Sequence, residues 1–127
     1  MNFNDNKPIY LQIAESLMDS IVRGDLPDET RLPSVRDYAI EAGVNPNTVM
    51  RTFVWLQQQE LIYMKRGIGY FVAPNASVKI LQMRKEYFFA HEANYFFDRL
   101  AQFGITPEQL GRDYAEYRKK RDKESLR

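Results

Sequence analysis

The sequence predicts a mainly α protein with a small β-hairpin. It divides into a helix-turn-helix unit over residues 1–75 and a two-helix appendage over residues 76–127. Three observations predict this. Apolar residues recur at helical spacing through most of the chain, beginning with Ile9, Ile13, Leu17 and Ile21. Only the stretch after Gln59 departs from that spacing, with two β-rich segments around a glycine-containing tip. The run Pro74-Asn75-Ala76-Ser77 then punctuates the chain before helical spacing resumes.

Each element has a local cause. Residues 1–7 read as a disordered leader. Pro8 opens a first helix, Ile9 to about Val22, which Gly24 ends. Asp25 to Thr30 is a turn-rich connection containing Pro27. Ser34 caps a second helix, with Asp37 three residues on as a variant of the capping box. Gly43-Val44 is the turn. Asn45 is a strong N-cap, and Pro46 fits the first helical position, where its missing N–H is no loss. The third helix runs to about Gln59, with Val49, Phe53 and Leu56 inward. Leu61–Met64 and Tyr70–Val72 are the strands, joined by Lys65-Arg66-Gly67-Ile68-Gly69. Ser77 or Asn75 caps one long helix to about Phe103, stopped by Gly104. Thr106-Pro107-Glu108-Gln109 starts the last helix, which runs to about Lys120 before a tail of mixed charge expected to fray.

Composition removes several function classes. With no cysteine there is neither a disulfide nor a thiolate metal site. No apolar run approaches the roughly 18 residues of a membrane helix. The polar start lacks a secretory signal, so the expected compartment is the cytoplasm, with no membrane partner. His91 is the one histidine, and with Glu86 and Glu92 it makes no convincing metal set. No nucleophile elbow, HExxH or phosphate loop appears, so neither an enzyme nor a cofactor is expected.

Charge gives a divided signal. Residues 1–75 hold seven Lys and Arg against nine Asp and Glu, whereas a nucleic-acid binder is expected to be basic. Local placement points the other way. Arg31, Arg36, Arg51, Lys65 and Arg66 lie in the stretch from the helix-turn-helix to the hairpin tip, against Asp37, Glu41 and Glu60. Taken singly, each reads first as a solvated surface charge. Together they suit double-stranded DNA, with the third helix in a major groove and the tip over a neighbouring minor groove. Asn47 and Thr48 would set register on the backbone, and Arg36 and Arg51 would hydrogen-bond bases or phosphates. A module that contacts protein and not nucleic acid is the competing reading.

The long helix carries a second signal. Residues 87–97, YFFAHEANYFF, hold six aromatics in eleven positions. Phe89, Phe96 and Leu100 fall on one side, while Phe88, Tyr95 and Phe103 spread over another. That surface is too wide for one short partner helix, so a second copy packing across a two-fold axis is expected. Packing against the first domain is the alternative. Trp55 either packs on the C-terminal helices or sits half-buried at the surface.

Four runs in order resemble the GntR family of bacterial winged helix-turn-helix regulators. They are Pro8-Ile9-Tyr10-Leu11-Gln12-Ile13, Arg31-Leu32-Pro33-Ser34-Val35-Arg36, Gly43-Val44-Asn45-Pro46-Asn47-Thr48-Val49, and the Gly67/Gly69 tip before Phe71-Val72. The short C-terminal part is similar to the YtrA-type subgroup, which implies a dimeric repressor without a large effector domain. The resemblance implies that Arg36 contacts DNA, that Asn47, Thr48 and Arg51 lie in the recognition helix, and that Gly67 enters the minor groove. Met50 and Ile68 stand where many members carry arginine, Glu60 where a glycine usually closes the third helix, and Val54 and Trp55 where charged residues are common. Operator and effector are not named by the sequence.

Overall fold

The computed structural model describes residues 7–125. The elements are α1 (Ile9–Arg23), α2 (Val35–Ala42), α3 (Pro46–Gln58), β1 (Ile62–Lys65), β2 (Gly69–Val72), α4 (Ala76–His91), α5 (Ala93–Gln102) and α6 (Pro107–Ser125). They form two compact units that divide between Arg84 and Lys85.

The first unit is built on the apolar sides of α1 and α3. Ile13 and Phe53 are fully buried, together with Val49, Leu56, Leu61 and Val72. Phe53 meets Tyr70 edge-on at 5.1 Å between ring centres and Tyr38 at 6.2 Å. β1 and β2 pair antiparallel, with Ile62 opposite Val72 and Lys65 opposite Gly69. The connection before α2, expected as a turn, also pairs with β2. The Leu32 N–H donates to the Tyr70 carbonyl at 2.9 Å, and the Val72 N–H to the Thr30 carbonyl at 2.9 Å. This segment covers what would otherwise be an open strand edge.

Two boundaries differ from expectation. The first unit runs beyond Asn75 into α4, because Ala76 and Ile80 are buried in its core and Arg84 pairs with Asp19 of α1 at 2.7 Å. Trp55 is half-buried against the core to which Ala76 and Ile80 belong. The long helix expected to reach Phe103 is two helices, broken at Glu92, whose φ of −120° leaves the helical range. No glycine or proline marks the break.

The chain start and end also differ. Residues 1–6 of the expected leader lie outside the described residues, but Lys7 belongs to the fold. Its ammonium pairs with Glu15, and its carbonyl accepts from the Gln12 amide at 2.7 Å. The tail expected to fray is helical to Ser125. Thr106 caps α6 by accepting the Gln109 N–H at 3.2 Å, while the Gln109 side chain turns forward to Asp113.

The second unit has almost no interior of its own. Ala93 is its one buried residue among those described. Phe89, Tyr95 and Phe96 are exposed, Phe88 is 38% exposed, and Leu100 is half-buried. Arg99 lies over the rings of both Tyr95 and Phe103, at 5.6 and 5.1 Å, so these two share a face as expected.

At the end of α3, Glu60 stands where the resemblance implies a glycine. The Leu61 N–H bonds to the Leu56 carbonyl and the Glu60 N–H to the Gln57 carbonyl, both at 3.0 Å. This is a Schellman closure, in which the residue at Glu60 must be left-handed. Glu60 has φ +61°, a conformation that a side chain disfavours. Glu60→Gly keeps both backbone bonds and the Lys79 contact to the residue-60 carbonyl. We expect it to stabilise the protein by up to about 1 kcal/mol, the relieved strain less glycine's greater freedom when unfolded. The urea midpoint should rise at unchanged slope, and a fall would contradict the assignment.

Candidate nucleic-acid interface

The start of α3 is built by three residue choices. Gly43, at φ +69°, ends α2. The Asn45 side chain accepts the Asn47 N–H at 2.8 Å, and Pro46 occupies the first helical position. The cap uses that N–H, so Asn47 offers a partner its side-chain amide. Asn47 and Arg51 are exposed and Thr48 is half-buried.

Arg51 is held from below by a residue the sequence reading left without a role. Its guanidinium sits 4.0 Å from the centre of the Tyr10 ring, a cation–π contact. Tyr10 is fixed in turn, because the buried Thr52 hydroxyl donates to its carbonyl at 2.8 Å. Pro8, Ile9 and Tyr10 thus form one wall of a groove of about 360 Å³, and Asn47, Thr48 and Arg51 form the other. The signal was present in the Pro8-Ile9-Tyr10 run, but helical spacing alone does not say which ring a distant arginine will meet.

The remaining expected site residues are held separately. Arg36 is exposed in the first turn of α2. On the hairpin, Tyr63 and Phe71 stack at 5.8 Å, and the Lys65 ammonium folds over Phe71 at 4.5 Å. Arg66 and Gly67 are exposed at the tip, with Gly67 at φ +78°. Arg31, given no site role from sequence, braces the tip by donating to the Ile68 carbonyl at 2.7 Å. A Cβ on Gly69 would only touch the Arg31 side chain, at 3.4 Å, and it is the φ of +143° that favours glycine there.

Charge pairing sorts the cations. Among the described residues the ion pairs are Lys7–Glu15, Arg23–Asp25 and Arg84–Asp19. Arg31, Arg36, Arg51, Lys65 and Arg66 have no carboxylate partner among those residues. Residues 1–75 hold more acids than bases, yet the cations at the helix tip and the hairpin are not among the paired ones and keep their charge for a partner. No group of His, Asp and Glu among the described residues could hold a metal ion.

A capped second helix followed by a braced hairpin defines a winged helix-turn-helix, the DNA-binding module of many transcription regulators. The chain belongs to the family described as bacterial regulatory proteins, gntR family, whose model matches residues 9–72. It is 35% identical over 108 residues to the uncharacterized HTH-type transcriptional regulator YhcF of Bacillus subtilis, covering 85% of this chain and 88% of that one. It is 32% identical over 75 residues to the HTH-type transcriptional repressor YtrA of the same organism, covering 59% and 58%. Among solved structures, a putative GntR-family transcriptional regulator from Bacteroides thetaiotaomicron matches with TM-score 0.79 and 45% identity, over 90% of this chain and 99% of that one. The DNA-binding domain of AraR in complex with operator ORX1 matches with TM-score 0.51 and 26% identity, over 57% and 89%. These matches are to transcription regulators, not to enzymes. No helix among the described residues is long and apolar enough to cross a membrane.

The wing carries a pH signature. The Tyr63 hydroxyl donates to the Glu29 carboxylate. Its pKa is raised above the usual tyrosine value, first by that hydrogen bond, then by desolvation and by the charge of Glu29. A raised phenol pKa favours the protonated form in the folded state. The contribution is therefore complete below about pH 10 and is lost as pH rises through the folded value. Thermal unfolding followed from about pH 8 to about pH 11 should show a steeper alkaline loss in the wild type than in Tyr63→Phe. Tyr38, raised by burial and then by Glu41, is common to both proteins and cancels in the comparison. Parallel profiles would contradict the Tyr63–Glu29 hydrogen bond.

Proposed function

We propose that the protein is a cytoplasmic repressor that binds a palindromic operator as a homodimer. The observation that carries this reading is the helix start itself: Asn47, Thr48 and Arg51 are presented on a capped N-terminus, and Arg51 is steadied by Tyr10. Arg36, Lys65, Arg66 and Gly67 complete the proposed DNA surface, with α3 in the major groove and the wing tip over the adjacent minor groove. The AraR domain solved on an operator and the repressor YtrA support the DNA and repressor parts by similarity.

The dimer part is supported by the second unit. A pair of helices that leaves Phe89, Tyr95, Phe96 and Phe97 open to water gains little from folding alone. A second copy would cover them, with Phe88, Phe89, Tyr95, Phe96 and Leu100 at the contact, and would fix two reading heads at one separation. The competing reading, a protein-interaction module, draws on the acidic balance of residues 1–75 and predicts no salt-dependent affinity for any duplex.

Selecting bound sites from a random duplex pool should return a palindrome with half-sites about one helical turn apart or a small multiple of it. Arg51→Ala and Arg36→Ala should each keep the wild-type circular dichroism and lose roughly tenfold or more in operator affinity. Full affinity in both would remove the contact assignment. Phe96→Asp should sediment as a monomer and bind the operator more weakly than the wild type. A dimeric Phe96→Asp with normal affinity would remove the aromatic dimer face.

A further inference from the structure

The outward face of α3 is not uniformly polar. Val49, Thr52, Phe53 and Leu56 are buried. Asn47, Met50, Arg51 and Val54 are exposed, and of these Met50 and Val54 are 43% and 42% accessible. The two apolar side chains are four residues apart, one turn along the same face, with Arg51 beside them. Isolated apolar residues on a surface need no explanation. Two in register on the face that carries the DNA-directed groups are a different matter, because that face is dehydrated whenever the helix is seated in a groove.

We propose that Met50 and Val54 read thymine 5-methyl groups in the major groove. This rests on the reading of α3 as the major-groove element. The chemistry is specific. Of the four bases thymine alone presents a methyl group on that edge, and apolar side chains are its natural partners. Methionine is unbranched and flexible, so Met50 can adjust to a methyl that a rigid side chain would miss. Four residues advance about 6 Å along a helix, close to two base steps of about 3.4 Å. The two side chains therefore address one short stretch within each half-site. A methyl contact of this kind depends on base sequence and carries no charge, so it adds discrimination without adding salt dependence.

The test uses the full chain and the operator returned by site selection. Each thymine is replaced singly by deoxyuridine, which deletes the methyl group and leaves the pairing intact. At one or more half-site positions the wild type should lose roughly fourfold in affinity, the worth of one buried methyl. Met50→Ala or Val54→Ala should bind the thymine and deoxyuridine duplexes equally at that position, with unchanged binding to an unrelated duplex. The inference is overturned if every deoxyuridine operator binds the wild type as well as the parent does. It is overturned too if the loss persists undiminished in both variants. If the pool yields no bound site, the regulator reading fails and this inference fails with it. If an operator is recovered and the methyl series is flat, only this inference fails.

Discussion

The clasp between α1 and α3 is the contact on which the front of this protein depends. A buried threonine hydroxyl in α3 reaches the backbone carbonyl of Tyr10, and the Tyr10 ring supports the guanidinium one residue before that threonine. Backbone position and side-chain position are thus set by the same pair of residues. A long arginine free in water would give up considerable rotamer entropy on meeting DNA, on the order of 1–2 kcal/mol. Stacked on a ring, it has given up part of that already. The core beneath, centred on Phe53 and Ile13, fixes the angle between the two helices, so the clasp does not have to.

Much of the first unit was legible in the sequence because its signals are local. Asn45-Pro46 specifies a helix start through hydrogen-bonding and φ chemistry that needs no tertiary partner, and Gly43 specifies the stop before it. Strand identity followed from β-branched and aromatic residues around a glycine tip. What was not legible depends on contacts far apart in the chain. Arg31 reads as one more cation until Ile68 is placed beside it. Ala76 and Ile80 have the spacing of a helix face whether they pack on a core or on another molecule, so the limit of the first unit could not be read there. The break at Glu92 is a one-residue backbone departure among good helix formers, with no glycine or proline to announce it.

The charge count shows why a total is a poor guide to a surface. Residues 1–75 hold more acids than bases, yet five cations among them have no carboxylate partner among the described residues, while Glu15, Asp25 and Asp19 pair with Lys7, Arg23 and Arg84. The wing follows a similar economy. The exposed Lys65 sets its ammonium over the Phe71 ring, a cation–π contact that leaves the charge open to solvent. Arg31 ties the loop from behind by a backbone carbonyl. The tip is therefore shaped by aromatic stacking and a single guanidinium, with glycine favoured at 69 by its positive φ.

The position of Trp55 gives the molecule a built-in optical label. It is the sole tryptophan, and it rests half-buried on the core of the first unit. The second unit, by contrast, contains Tyr87, Tyr95, Tyr114 and Tyr117 but no indole. Indole emission therefore follows the melting of the first unit alone, and comparing it with the helical circular dichroism of the whole chain opens the cooperativity to spectroscopy without any probe being attached.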